Sequence, residues 1–176
     1  KHYLAIVPTK FNVYSEKLPF HVRQLTPASQ TTQFIDAVSD IEGMNLINLK
    51  DTLLQAAPLL DERLYYNTDQ HWNQLGAYVA YSKILNEIRK DFPQTPVTSL
   101  DAMRITSEKT KGTGLAKTIL MQEEFPDKEI QISPRNKIFD FSTYKYTYPI
   151  PEKFPYKNEF QVHYKSHDES LPKILF

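Results

Sequence analysis

Asp69 and His71 are the side chains whose types and spacing best fit catalysis. They lie in the stretch Leu64-Tyr65-Tyr66-Asn67-Thr68-Asp69-Gln70-His71-Trp72. In an extended segment, residues two apart leave the backbone on the same side, so the Asp69 carboxylate can accept a hydrogen bond from one ring nitrogen of His71. The other nitrogen is then free to draw a proton from a hydroxyl. This is the base-and-orienter half of a Ser-His-Asp triad, recognised by roles rather than by chain order. The same spacing also serves merely to tie down a loop, and spacing alone leaves both readings open. Trp72, the only Trp, fits either the lining of a ligand site or the anchor of a helix start. Three further residues are candidates for substrate contact: Tyr66 beside the pair, and Lys10 and Tyr14 from the exit of the first strand. A solvated Lys and a packing Tyr are the plainer readings of the last two.

Other constellations are weaker. His163 and His167 with Asp168 could join His71 and Asp69 in a metal set on paper, but a four-residue spacing in a strand-like segment does not align ligands. Metal is therefore disfavoured. Ser142 and Ser170 have acidic residues nearby, yet neither sits in a turn that exposes and activates a nucleophile. Lys111-Gly112-Thr113-Gly114-Leu115-Ala116 reads as a tight turn, lacking the remaining glycines and the Lys-Ser/Thr of a phosphate-binding loop.

The elements that must position the pair follow from apolar patterning. Residues 3–7 form a short apolar run closed by Pro8, as in a strand buried on both faces of an α/β sheet. Ligands collect where such strands end, and Lys10 lies there. Residues 27–29 start a helix turning Phe34, Ile35 and Val38 inward, and residues 44–49 are strand-like. Asp51 is placed to cap a helix over 52–57 that Pro58 stops, and residues 64–66 read as a third strand. From Asn73 to Lys90, Leu75, Tyr78, Val79, Leu85 and Ile88 recur at helical spacing. Gly76 in the first turn of that helix costs about 1 kcal/mol relative to Ala, which points to close approach of another backbone. The alternation of strand and helix predicts a parallel sheet covered by helices, with Asp69 and His71 near its C-terminal edge.

After residue 90 the character changes, with eight of the twelve prolines at or beyond Pro93. Residues 138–148 carry Tyr144, Tyr146 and Tyr148 in alternation, one face of a strand that either stacks on sugars or covers a core edge. Residues 159–164 alternate as another strand. The last six, 171–176, open one more, so the chain reads as a fragment. Its expected layout is a single domain over 1–176: an α/β core over 1–90, a Pro/Tyr-rich connection over 91–170, and the start of a further strand over 171–176.

Composition bounds the function. Forty per cent apolar and 24% charged residues are ordinary globular values. Twenty-one basic residues balance 21 acidic ones, leaving no electrostatic reason to expect nucleic acid as a partner. The absence of cysteine removes disulfides and a thiol nucleophile. No run reaches the roughly 18 apolar residues of a membrane span, and no signal-peptide layout is present.

Leu4-Ala5-Ile6-Val7-Pro8-Thr9-Lys10 with Val13-Tyr14 and Leu18-Pro19, followed by Tyr65 to Asn73 with Leu75-Gly76-Ala77-Tyr78, resembles the SGNH-hydrolase-like domain of the alginate O-acetyltransferase family and the related bacterial DHHW proteins. Gly112 to Ala116 resembles a later Gly-Asp-Leu-like block, from which Thr113-Gly114 departs. The resemblance implies a flavodoxin-like parallel sheet with a permuted motif order in which the Asp-His pair precedes the nucleophilic Ser. Leu171-Pro172-Lys173-Ile174-Leu175-Phe176 is similar to the lead-in to that Ser, placing the nucleophile beyond Phe176 and leaving the fragment alone inactive. It also implies O-acetyl transfer or acetyl-ester hydrolysis through an acetyl-Ser intermediate, with His71 as base and Asp69 as orienter. The implied acceptor is a polysaccharide or cell-wall glycan, and the acetyl donor would come from membrane-associated machinery. The setting would be extracytoplasmic, at the cell surface or in the periplasm, and neither cofactor nor metal is implied. The alternative is a non-catalytic carbohydrate-binding or assembly module that keeps the fold; a metal-dependent hydrolase stands third.

Overall fold

The chain begins with β1 (His2–Ile6), which pairs in parallel with β2 (Met44–Asn48), Leu4 opposite Leu46 and Ala5 opposite Ile47. Parallel pairing requires a crossover, and the crossover contains α1 (Lys10–Val13) and α2 (Gln30–Val38). α3 (Leu49–Ala56) leaves β2 directly, and α4 (Gln74–Ile88) packs against it. β3 (Met103–Thr110) and β4 (Asp127–Pro134) form an antiparallel pair, with the short α5 (Gly114–Thr118) in their connection. This computed structural model describes residues 2–23 and 25–135, together with the backbone of β5 (Tyr144–Tyr146) and β6 (His163–Lys165). Lys1–Arg135 and Asn136–Phe176 are two compact units. In the second, β5 and β6 pair antiparallel, Tyr144 opposite Lys165 and Tyr146 opposite His163.

The core gathers Val13, Ile47, Leu49, Leu53, Leu64, Tyr65, Leu75, Ala80 and Ile130. Burying Leu49, Leu53, Leu64 and Leu75 contributes roughly 1.5–3 kcal/mol each. Leu64 and Tyr65 belong to the catalytic-looking stretch, so its root is part of the core and only its tip reaches solvent.

Several expectations from sequence are corrected. β1 is half-buried rather than buried on both faces, because among the described residues it has one strand neighbour, β2. Phe34 is 48% exposed rather than inward, as α2 buries none of its residues fully. α3 starts earlier than expected: Asn48, not Asp51, is its cap, accepting from the Lys50 amide at 3.0 Å, while Asp51 sits in the first turn. α4 matches its predicted span, and its amphipathic face buries Leu75, Ala80, Leu85 and Ile88. Residues 64–66 make no strand of their own; Tyr65 forms a single antiparallel bridge with Trp72. The β3–β4 pair lies within the span read as a connection. No helix among the described residues is long and apolar enough to cross a membrane. The strand candidates over 138–148 and 159–164 lie outside the described residues except for the backbones of β5 and β6, and residues 171–176 lie outside entirely.

Candidate active site

The stretch around Asp69 folds as a narrow loop closed at its neck. The Tyr66 amide donates to the His71 carbonyl at 3.2 Å, and the Asn73 amide to the Leu64 carbonyl at 3.0 Å. Asn73 then caps α4, its side-chain oxygen accepting from the Leu75 and Gly76 amides at 2.9 and 3.1 Å. Its side-chain amide donates to the Arg63 carbonyl at 2.6 Å, so one residue ties the loop to the helix start. Gly76 makes this possible. A Cβ there would fall less than 3.0 Å from the Leu64 carbonyl oxygen and 2.9 Å from the Trp72 Cβ.

At the loop tip, Asp69 Oδ1 accepts the His71 amide at 2.9 Å and meets His71 Nδ1 at 2.6 Å. The first bond is that of an Asx turn, so the two side chains meet through a bend of the chain rather than through extended alternation. An ionised carboxylate only accepts, which puts a proton on Nδ1 and leaves Nε2 as the ring nitrogen not bonded to Asp69. The imidazole is 74% exposed while the carboxylate is 18% exposed. Burial pushes the Asp69 carboxyl up, but its bonds from the His71 amide and ring, with that from the Gln70 amide, outweigh this and hold it below the usual range. The Asp69 carboxylate therefore stays charged beside an imidazole that is open to solvent.

The loop is tied to the C-terminal end of β1. The Tyr65 hydroxyl donates to the Pro8 carbonyl at 2.8 Å. The Lys10 ammonium donates to the carbonyls of Tyr66, Asn67 and Asp69 at 2.6, 2.7 and 3.2 Å. Burial pulls the Lys10 ammonium below its usual range; Asp127 and Asp69 oppose that and Arg63 adds to it. The Tyr14 hydroxyl accepts the Leu64 amide at 3.1 Å, and its ring meets Tyr65 edge-on at 6.2 Å. Lys10 and Tyr14, with Phe11 and Arg63, also line a pocket of about 260 Å³ beside the loop. Tyr66 faces away from that pocket toward β4, its hydroxyl donating to both oxygens of Glu129 at 2.9 and 3.1 Å. Burial, then the bond to Glu129, pushes this phenol up to about 12. Trp72 is partly buried and packs on the core.

Asp127, which carried no signal in the sequence, and Thr68 of the loop itself hold the site together. Asp127, the first residue of β4, accepts the Asn67 amide at 3.0 Å and the Thr68 amide and hydroxyl at 2.7 and 2.6 Å. Thr68 passes the connection on: its hydroxyl accepts the Thr113 amide at 2.9 Å, and its carbonyl accepts the Leu115 amide at 2.8 Å. Amides of the glycine-containing turn are thus spent on Thr68, and the turn seats Gly114 against the Asp69 carboxylate. The side chains of Ser142, His163, His167, Asp168 and Ser170 lie outside the described residues.

Comparison with known proteins agrees with this picture. Residues 1–138 match the family model of the SGNH hydrolase-like domain of the acetyltransferase AlgX. No curated protein matches the chain by sequence. Among solved structures, the O-acetyltransferase domain of Pseudomonas putida AlgJ superposes with a TM-score of 0.53 at 22% identity, over 77% of this chain and 50% of that one. Bacillus cereus PatB1 gives 0.53 at 20% identity, over 77% and 45%. A DHHW family protein from Eubacterium siraeum gives 0.53 at 22% identity, over 75% and 41%. The chain spans half or less of each of these structures, and at such identities the likeness is one of fold. The family inferred from the sequence blocks is the one found: matched over 138 of its 176 residues, the chain belongs to the family of the SGNH hydrolase-like domain of acetyltransferase AlgX.

Proposed function

We propose that this chain supplies the base and its orienter for carbohydrate O-acetyl transfer, or for hydrolysis of the acetyl ester, through an acetyl-Ser intermediate. The observation that carries the reading is the 2.6 Å contact of Asp69 with His71 Nδ1 beneath an exposed imidazole. The nucleophile of this reading is a serine outside the described residues. His71 Nε2 takes the proton of the serine hydroxyl as its oxygen attacks the acetyl carbonyl. The donor's leaving oxygen departs with that proton. A glycan hydroxyl, or water, then gives its proton to Nε2 and attacks the acetyl-Ser, and the serine recovers the proton as it leaves. Asp69 holds Nδ1–H in place and stabilises the imidazolium formed in each half. The pocket lined by Lys10 and Tyr14 is the proposed place for the acceptor sugar. The acceptor is a cell-surface or periplasmic polysaccharide, acetylated outside the cytoplasm with donor from a membrane-associated partner.

The test uses the full-length protein and a chromogenic acetyl ester. Wild type is expected to release acetate and to be labelled by serine-directed acylating probes. Asp69→Asn should lower kcat by about 10⁴-fold and His71→Ala by at least as much. Wild-type protein inert to both ester and probe refutes the reading.

A further inference from the structure

The tip of the loop, residues 66–69, exposes main-chain groups of both polarities, and two side chains of opposite charge divide them. Carbonyls of Tyr66, Asn67 and Asp69 converge on the Lys10 ammonium, at 2.6 to 3.2 Å. Amides of Asn67 and Thr68 and the Thr68 hydroxyl converge on the Asp127 carboxylate, at 2.6 to 3.0 Å. The Lys128 amide, at 2.8 Å, adds a fourth donor to Asp127. Asp127 is 3% exposed, and a buried carboxylate is tolerated only with such a full set of donors. Burial pushes its carboxyl up, but the Thr68 hydroxyl and the three amides outweigh this and hold it below the usual range.

The anchored atoms lie on both sides of the catalytic orienter along the chain: the Thr68 amide one peptide before it and the Asp69 carbonyl just after it. A rotation of the Asp69 backbone turns the Asp69 carbonyl relative to the Thr68 amide, so the bonds to Lys10 and to Asp127 together resist it. The bonds that bring Asp69 to His71, from the His71 amide and ring and the Gln70 amide, are all local to the turn. Its direction is set from outside, by the start of α1 and the start of β4.

We infer that Asp127, with Lys10 opposite it, is a positioning residue of the catalytic pair, holding the Asp69–His71 turn in the one orientation that presents Nε2 to the reacting hydroxyl. The inference rests on the reading of Asp69 and His71 as orienter and base. Thr68 relays the same constraint to the turn at Thr113–Leu115. The β3–β4 pair thereby becomes part of the catalytic apparatus although it contributes no reacting atom.

The test compares Asp127→Asn with wild type in the full-length protein. Asn keeps the shape but turns an amide donor toward donors. Two readouts separate positioning from simple support of the fold. The first is kcat per serine titrated with an acylating probe, which counts only folded sites; it should fall about 10–100-fold while KM for a small acetyl ester is unchanged. The second is the low-field proton resonance of His71 Nδ1–H, expected in wild type and broadened or lost in the variant. Unchanged kcat per titrated site, or an unchanged resonance, overturns the inference. Should Asp127→Asn fail to fold, Thr68→Val and Thr68→Ser decide in its place. Ser should restore both readouts relative to Val, and equal behaviour of the two overturns the inference. A wild type that neither cleaves ester nor takes up the probe, but whose resonance responds to Asp127→Asn, removes the proposed function and leaves the structural coupling standing.

Discussion

Gly76→Ala should destabilise the protein even though it improves helix propensity. Ala is favoured over Gly by about 1 kcal/mol inside a helix. Against this, the new Cβ would lie less than 3.0 Å from the Leu64 carbonyl oxygen, 2.9 Å from the Trp72 Cβ and 3.1 Å from the Leu64 carbonyl carbon. Two of those atoms are main chain and cannot rotate away. Ordinary contact begins near 3.4 Å, so the neck of the loop must open by several tenths of an ångström at least. Overpacking of this kind costs about 1–3 kcal/mol. The displaced oxygen is also the acceptor of the Asn73 amide at 3.0 Å, and weakening that bond costs about 1 kcal/mol more. The net loss is roughly 1–3 kcal/mol, and at about 2–4 °C per kcal/mol for a domain of this size the melting temperature should fall by about 2–12 °C. Urea unfolding followed by fluorescence of Trp72, the only Trp, measures this directly, because the indole stands at the altered contact. A midpoint equal to or above that of wild type, with an unchanged slope, would refute the argument that α4 and the loop are held in contact by a missing side chain.

Three shorter predictions concern the turn and the buried carboxylates. Gly114→Ala places a Cβ against the Asp69 carboxylate, 2.9 Å from its Cβ, at a φ of +41°; acetyl-ester kcat should drop about 100-fold and stability by about 1 kcal/mol, and undiminished kcat in steady-state assays counts against the seating of Asp69. Leu120 sits just past α5 with φ 58° while the Met121 amide bonds the Ala116 carbonyl at 2.9 Å, a helix ending that favours glycine. As its side chain is 84% exposed, Leu120→Gly should raise stability by about 0.5–1 kcal/mol in denaturant titrations. Asp127 and Asp69 both ionise more readily in the folded chain than the ordinary value of 3.8. A depressed native value means that their stabilisation is complete above that pH and is lost as pH falls through the native values. Unfolding free energy measured against pH should therefore drop steeply in acid for wild type and less steeply for Asp127→Asn.

Much of the site was legible along the chain because it is local. Asp69 and His71 are two residues apart, Asn73 caps a helix whose apolar spacing is written over Gln74–Ile88, and the glycine at 76 stands where no propensity argument would put one. The strand, helix, strand order of β1, α2 and β2 follows from short apolar runs and an N-capping Ser29. β3 escaped notice because six of its eight residues are exposed, so it has no apolar alternation to read; pairing with β4 holds it. Lys10 looked like a solvated or substrate-facing cation because its partners are main-chain carbonyls 56 to 59 residues away, which a sequence does not mark. Asp127 was invisible for the same reason: its donors are amides and a hydroxyl of the loop, 59 and 60 residues earlier. The sequence by itself determined that Asp69 and His71 come within reach of each other, since they stand two residues apart and one local turn joins them. Only the tertiary structure decided how that pair is aimed, because the groups that fix the turn come from the start of α1 and the start of β4, and burial of their charges is satisfied only when both have reached the loop.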